Sequence, residues 1–115
     1  MVGRTAHRTK ADQRRFDALK RMGCIAARLR GLGYVAPDIH HIVGGYRMGH
    51  QYTLPLSPWH NRGDIPEQCA GEAEAEAIFG PSMYRAKRRF VAEFGTELEL
   101  LEIVNDRIKT TMENQ

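Results

Sequence analysis

The chain has 115 residues, enough for one hydrophobic core but not for two. Its 42% hydrophobic and 27% charged residues are typical of a globular protein, and no apolar run approaches the roughly 18 residues that span a bilayer. The basic N-terminus is not followed by an apolar segment, which argues against a signal peptide. We therefore expect a cytoplasmic protein without membrane contact.

The positive charge is concentrated at one end of the chain. Residues 1–30 carry nine Lys or Arg against two Asp, a charge of +7, whereas the remainder carries eight basic and twelve acidic residues, a charge of −4. A basic segment joined to a mildly acidic body is typical of proteins that bind phosphate backbones. The sequence thus predicts a flexible basic arm at residues 1–10, one domain at 11–115, and a nucleic acid as partner.

The first predicted element is a helix over residues 9–22, with Phe16 and Leu19 on its apolar side and Gly23 as its end. The two cysteines, Cys24 and Cys69, are far apart in the sequence. Two cysteines do not form a disulfide framework, and in a reducing compartment we expect free thiols.

Four of the five histidines fall within DIHHIVGGYRMGHQYTLPLSPWHNRGD, residues 38–64. Residues 39–43 and 52–56 have the composition of short strands, and Pro55 indicates an edge strand. Ser57 followed by Pro58 is a helix-start signal, and Gly63 ends that helix after one or two turns. The predicted order is therefore strand, glycine loop, strand and helix, with Trp59 as a core residue.

The remaining segments are predicted to be scaffold. EAEAEAIF is expected to form a solvated helical turn or two, and Ser82 is expected to cap a helix that runs to residue 94. Thr96 and Glu99 form the capping box of a last helix. Its core stripe is predicted to consist of Leu98, Leu101, Val104 and Ile108.

The histidine stretch suits phosphodiester hydrolysis, which needs a base to activate water and a cation to stabilise the departing oxygen. Because side chains alternate along a strand, His40 and His41 point to opposite faces, so one can bind metal while the other accepts a proton. The asparagine oxygen of Asn61 suits a hard ion such as Mg²⁺. The second strand and the Ser-Pro cap are expected to return His60 and Asn61 towards the first histidines.

This stretch resembles the HNH, or ββα-metal, nuclease motif. HHIVGG, GHQYTLPLSPWHNRG and GPSMYRAKRRFVAEFGTELELL are more narrowly similar to phage HNH nucleases of the Ref type, the RecA-dependent recombination-enhancement nucleases. The resemblance covers about residues 20 to 105. It implies an α+β fold, with a ββα-metal core flanked by an N-terminal helix and two C-terminal helices. It also implies a divalent-metal-dependent DNA endonuclease of phage or prophage origin that acts on recombination intermediates such as RecA-coated strands.

Roles for individual residues follow from the same resemblance. His41 would be the general base, His40 a metal ligand, and His60 the closing metal ligand, with Asn61 as its competitor or partner. His50 occupies the middle position of the motif and is expected to support the loop. The implied ion is Mg²⁺, or another divalent ion such as Mn²⁺ or Zn²⁺.

The sequence departs from its relatives at one position. Relatives often carry Cys-x-x-Cys before the motif, whereas this chain has Cys24 with Ala27 at the partner position. A structural zinc site needs a full set of ligands, so it is doubtful here unless the fold brings Cys69 near.

Basic residues from both halves of the sequence are candidate DNA contacts: Arg4, Arg8, Lys10, Arg14, Arg15, Arg47, Arg62, Arg85, Arg88 and Arg89. Two other functions fit the same sequence. One is an HNH-like module that binds DNA or zinc without cutting. The other is an interaction protein that docks residues 82–112 on a recombinase filament or on packaging machinery.

Overall fold

The fold is an α+β arrangement of short helices around one β-hairpin, in a computed structural model that describes residues 8–43 and 48–113. Within these ranges the elements are α1 (Lys10–Met22), α2 (Ile25–Leu29), β1 (Asp38–His41), β2 (Thr53–Leu56), α3 (Pro58–Arg62), α4 (Glu72–Phe79), α5 (Lys87–Phe94) and α6 (Glu97–Glu113). The predicted α+β class is confirmed. None of the helices in the described ranges combines the length and apolar character needed to cross a bilayer.

The first helix begins and ends where local signals predict. Thr9 Oγ1 accepts from Asp12 N, and the Asp12 carboxylate accepts from Thr9 N in return, so the two residues form a capping box. Gly23 follows the last helical residue, with φ of 81°. Lys10, which the sequence assigned to the basic arm, is thus the first residue of α1.

The two strands pair antiparallel in a single register. His40 lies opposite Leu54, and His41 lies opposite Thr53. Pro55 lies opposite Ile39 and is tolerated because a two-stranded sheet consists only of edge strands. The strands are slightly shorter than predicted, and α3 follows β2 after Ser57 alone.

The hydrophobic core lies between β2 and the helices, with Leu19, Leu54, Phe90 and Leu100 among its buried residues. A smaller cluster consists of Trp59, Ala75 and Phe79. The prediction that Trp59 is a core residue is therefore confirmed, and α4 is a helix that buries two side chains rather than a fully solvated turn.

Two predictions for the last helices are wrong. The helix predicted from Ser82 begins only at Lys87, because the Ser82 hydroxyl instead accepts from Tyr84 N and Arg85 N in the preceding turn. In α6 the predicted core residue Leu98 is 58% exposed, and Leu100 is fully buried in its place. The capping box of Thr96 and Glu99 is confirmed by both of its hydrogen bonds.

A buried arginine joins three elements. Arg15 Nε donates to Thr53 Oγ1 at 2.8 Å, Nη2 donates to Thr53 O at 2.6 Å, and Nη1 donates to Asn105 Oδ1 at 2.7 Å. The contacts link α1, β2 and α6. Burial lowers the pKa of Arg15 from its usual value, and the hydrogen bonds compensate the guanidinium for its lost hydration.

We expect Arg15→Met to reduce the free energy of unfolding by about 2–4 kcal/mol, because it keeps the apolar stem but leaves buried acceptors on Thr53 unpaired. Urea denaturation followed by circular dichroism measures the loss. Arg14→Met, at the exposed neighbouring position, is the matched control and should change stability by less than about 0.5 kcal/mol. Equal effects of the two substitutions would contradict the structural role of Arg15.

Candidate functional site

The adjacent histidines of β1 face opposite sides of the hairpin, as strand alternation predicts, and His41 faces α1. Its Nε2 lies 3.0 Å from His50 Nδ1, so the two rings share a hydrogen bond. The edge of each ring meets Phe16, at centroid distances of 6.1 Å for His41 and 5.5 Å for His50. A short loop thus brings two histidines together against an aromatic wall, where both are half-buried.

The segment that carries His50 is fixed to the scaffold by its neighbours. Thr53 Oγ1 donates to His50 O at 2.9 Å, and Gln51 Nε2 donates to Asp12 Oδ1 at 2.7 Å. The bonds from Gln51 and Thr9 lower the pKa of Asp12, which keeps this carboxylate ionised. Within the described part of the chain, His50 Nε2 is buried without a hydrogen-bond partner. His50, for which the resemblance predicts a supporting role in the loop, therefore contacts His41 directly.

On the other side of β1, His40 contacts a carboxylate. Its Nε2 lies 2.6 Å from Glu97 Oε2, and Lys87 Nζ reaches the second oxygen of the same carboxylate at 3.3 Å. Burial opposes ionisation of Glu97, but the contacts with His40 and Lys87 lower its pKa below the usual range. His40 is accordingly held next to a negative charge.

Asn61 lies next to the same strand. Its Nδ2 donates to Asp38 Oδ2 at 3.2 Å, which leaves the amide oxygen Oδ1 as the atom that would bind a cation. Arg62 Nε also contacts Asp38 Oδ2, at 2.9 Å. Because Asp38 and His40 are two residues apart on β1, they share a face of the strand. Asn61 is thus next to the face that bears His40.

His60 is enclosed in the core. The Ser57 Oγ lies 2.7 Å from His60 Nδ1, and His60 Nε2 lies 2.8 Å from Phe79 O. Since a carbonyl can only accept, Nε2 carries the proton and Nδ1 accepts from the Ser57 hydroxyl. The ring is fully buried, and its Nδ1 is also 3.4 Å from Cys24 Sγ. Both nitrogens are therefore occupied by protein groups.

The two candidates for closing a metal site differ in their exposure. His60 is buried and satisfied, whereas Asn61 is partly exposed on the side of β1. His40 and Asn61 together offer an imidazole nitrogen and an amide oxygen, a donor set that fits a divalent ion with several waters. Among the residues that the structure describes, no group of three or more His, Cys, Asp or Glu side chains is arranged to hold a metal ion.

The two cysteines occupy different parts of the core. Cys24 is buried in the main cluster, where Ala27 N donates to its sulfur, and Cys69 packs against the Trp59 cluster. Both are free thiols, as predicted. Burial raises the pKa of the Cys24 thiol and keeps it neutral.

Several of the predicted DNA contacts are already used within the protein. Arg62 pairs with Asp38 and Asp64, Arg85 with Glu72, and Arg89 with both oxygens of Glu76. Arg85 also lies in the turn before α5 rather than on the helix with Arg88, which is exposed. These pairs partly neutralise the basic surface predicted for the C-terminal half.

The cations in α1 and just before it differ from this group. Lys10 and Arg14 are exposed and have no ion-pair partner among the described residues, and Arg8 contacts Gln13 and the ring of Phe16. Arg15 is the exception, because its guanidinium is buried and hydrogen-bonded to Thr53. Arg4 and Arg47 lie outside the described residues.

Sequence reasoning missed Asp38, Glu97 and Phe16. Asp38 could have been found, because it is two residues before His40 and strand alternation places both on one face. Glu97 and Phe16 carry no such signal, since they reach the histidines from distant helices.

The burial of His60 makes stability depend on pH. Desolvation lowers its pKa to about 4, below the usual 6.5, so the unfolded chain binds a proton more readily than the folded one. The contribution of His60 to the free energy of unfolding is fully present above pH 6.5 and is lost as the pH falls towards 4. We expect the free energy of unfolding to decrease by roughly 2–3 kcal/mol between pH 7.5 and 4.5. Urea titrations at both values should show a smaller decrease for His60→Gln, and an equal decrease would contradict the assignment.

Comparison with known proteins identifies the family. Residues 8–109 match the family described as "Recombination enhancement, RecA-dependent nuclease". No curated protein matches the sequence at a significant level. The family match includes α1, the histidine-bearing hairpin, α3 and most of α6. The chain therefore belongs to the family of RecA-dependent nucleases of recombination enhancement.

Proposed function

We propose that this protein is a divalent-metal-dependent DNA endonuclease of the HNH type that cuts recombination intermediates paired by a RecA-type recombinase. The family supports nuclease activity and its link to RecA. The observation that carries the chemistry is the contact between His41 and His50 within a strand-loop-strand-helix segment, where His41 Nε2 lies 3.0 Å from His50 Nδ1.

In this proposal His41 is the general base. An imidazole in its neutral form has one lone pair that can accept a proton from water, and the hydrogen bond between His41 Nε2 and His50 Nδ1 holds the ring. The water oxygen then bonds to phosphorus as the bond from phosphorus to the leaving sugar oxygen breaks. His50 acts through His41 and is a positioning residue, because its bond selects the tautomer and orients the ring.

His40 and Asn61 are the proposed metal ligands, in preference to His60. Their support is chemical: an imidazole nitrogen and an amide oxygen lie beside one strand, close to the carboxylates of Asp38 and Glu97. A divalent ion such as Mg²⁺ or Mn²⁺ would supply positive charge that stabilises the leaving oxygen. Glu97 keeps His40 oriented until an ion binds, and Asp38 does the same for Asn61.

DNA contact is assigned to the exposed cations of the N-terminal region, Arg8, Lys10 and Arg14. They are next to the His41 side of the molecule because Phe16 and Asp12 of the same helix contact the histidine segment. Backbone contacts of this kind hold DNA without reading its sequence, and their strength falls with salt.

One observation favours a second function, a DNA-binding module without catalysis. His40 Nε2 is engaged by Glu97, so a ligand position is occupied by a protein carboxylate. Such a module would bind the same DNA but leave it intact in the presence of any divalent ion.

We expect His41→Ala to lower the rate of cleavage by about 10²–10⁴-fold while DNA binding is retained, because only the proton acceptor is lost. The assay compares single-stranded, duplex and RecA-paired DNA with and without Mg²⁺. His50→Ala should lower the rate less and should change the pH profile, whereas His50→Asn, which can still accept a hydrogen bond, should recover part of the rate. Unchanged cleavage by His41→Ala would contradict the proposed base, and wild-type binding without cleavage on any substrate would favour the module.

Asn61 and His60 should respond differently to substitution. We expect Asn61→Ala to weaken Mn²⁺ binding about tenfold or more in calorimetric titration with little change in stability, because a partly exposed ligand is removed. His60→Gln should lower the urea midpoint but retain Mn²⁺ affinity in the folded protein. The opposite pattern would show that His60 closes the metal site.

A further inference from the structure

A shallow groove runs between α1 and the C-terminal part of α6. It consists of two adjoining cavities of about 410 and 540 Å³. Both are lined by Ala18, Arg21 and Ile108, so they form one continuous depression. One end is at Gln51, the residue next to His50, and the other end lies between Arg28 and Arg107.

The walls of this groove carry cations that other parts of the protein do not neutralise. Arg14, Arg21, Arg28 and Arg107 line it, and none forms an ion pair within residues 8–43 and 48–113. Arg28 is held by neutral groups, the Met22 carbonyl and the Tyr34 ring. Among the described residues that line the groove, Asp17 is the one with a carboxylate, which accepts from Gln13 Nε2. The groove thus has a net positive charge, unlike the surface of α4 and α5.

The floor of the groove is apolar, with Ala18, Met22 and Ile108 between the cations. Arg14 and Arg21 are seven residues apart, or roughly 10 Å along the helix. A row of unpaired cations above an apolar floor suits an unpaired nucleic-acid strand, whose bases are exposed along with its phosphates. A duplex presents mainly its phosphates and would leave the floor uncovered.

We propose that this groove binds single-stranded DNA that continues from the cleaved phosphodiester bond. The inference deepens the proposed function and rests on it for the position of the cut. The strand enters beside Gln51, follows α1 past Arg21, and leaves between Arg28 and Arg107. Arg21, Arg28 and Arg107 are binding residues in addition to those inferred from the sequence.

The test measures binding without cleavage, by fluorescence anisotropy of a labelled single-stranded oligonucleotide over a series of salt concentrations in EDTA. The variant Arg21→Ala/Arg107→Ala removes one cation from each wall. The matched control is Lys20→Ala/Lys109→Ala, which removes the same charge from exposed positions on the same two helices outside the groove. Urea denaturation verifies that both variants remain folded.

We expect the groove variant to reduce the slope of log affinity against log salt by about 1.4, as the loss of two phosphate contacts to a single strand predicts. The control should retain the slope of the wild type. Equal losses in the two variants would overturn the proposal in favour of a general charge effect. An unchanged slope in the groove variant, together with weaker binding to RecA protein, would overturn it in favour of an acidic protein partner.

The outcome is independent of the nuclease hypothesis. If the wild type binds with the expected slope but never cuts, the catalytic proposal fails while the groove stands. If the wild type cuts DNA, and the groove variant binds and cuts DNA as well as the wild type, the groove proposal fails while the catalytic proposal stands.

Discussion

The buried hydroxyl of Thr53 is the contact on which the arrangement of the histidines depends. It accepts from Arg15 Nε and donates to His50 O, and its residue lies opposite His41 in the hairpin. One side chain therefore fixes the end of β2 against α1 and holds the segment that presents His50 to His41. A shift of the hairpin by one residue would send His41 to the side of Glu97 and His40 to that of Phe16, because side chains alternate along a strand. The register thus decides which histidine can act as base and which lies next to a carboxylate.

The parts of the fold that local chemistry specifies were predictable from the sequence. Ser57, Pro58 and Gly63 bound α3 as predicted, because a cap hydroxyl, a fixed φ and a left-handed glycine act within a few residues. Gly63 has φ of 77°, and a side chain there would meet Arg85. The alternation of His40 and His41 was predictable for the same reason.

The features that the sequence could not predict are tertiary contacts between residues that lie far apart along the chain. His60 follows a helix-start signal that predicts a position close to the other histidines, yet its partner Phe79 O is nineteen residues away at the end of α4. The exchange of Leu98 for Leu100 in the core has a similar origin, since the phase of an amphipathic helix is set by what it packs against. The sequence left Asn61 as the alternative to His60 for the closing metal ligand. The burial of His60 is the physical reason to prefer Asn61.

Ion pairs between distant residues could not be predicted from the sequence for the same reason. The sequence places basic residues in both halves, but only distances show that Arg85 and Arg89 face the glutamates of α4. An arginine with a carboxylate partner loses that partner when it binds phosphate, so its net contribution to DNA affinity is small. The exposed arginines of α1 have no such cost within the described chain.

Helix α1 consequently connects the candidate chemistry to the candidate substrate. Asp12 and Phe16 on one side contact the segment of His41 and His50, and Arg14 and Arg21 on another line the groove. Arg15, between them, joins the helix to β2 and α6. A strand bound along the groove would therefore be held by the same rigid helix that supports the proposed base. Because the helix is joined to the hairpin by buried hydrogen bonds, the distance from the groove to His41 is fixed by folding and does not have to be established when DNA binds.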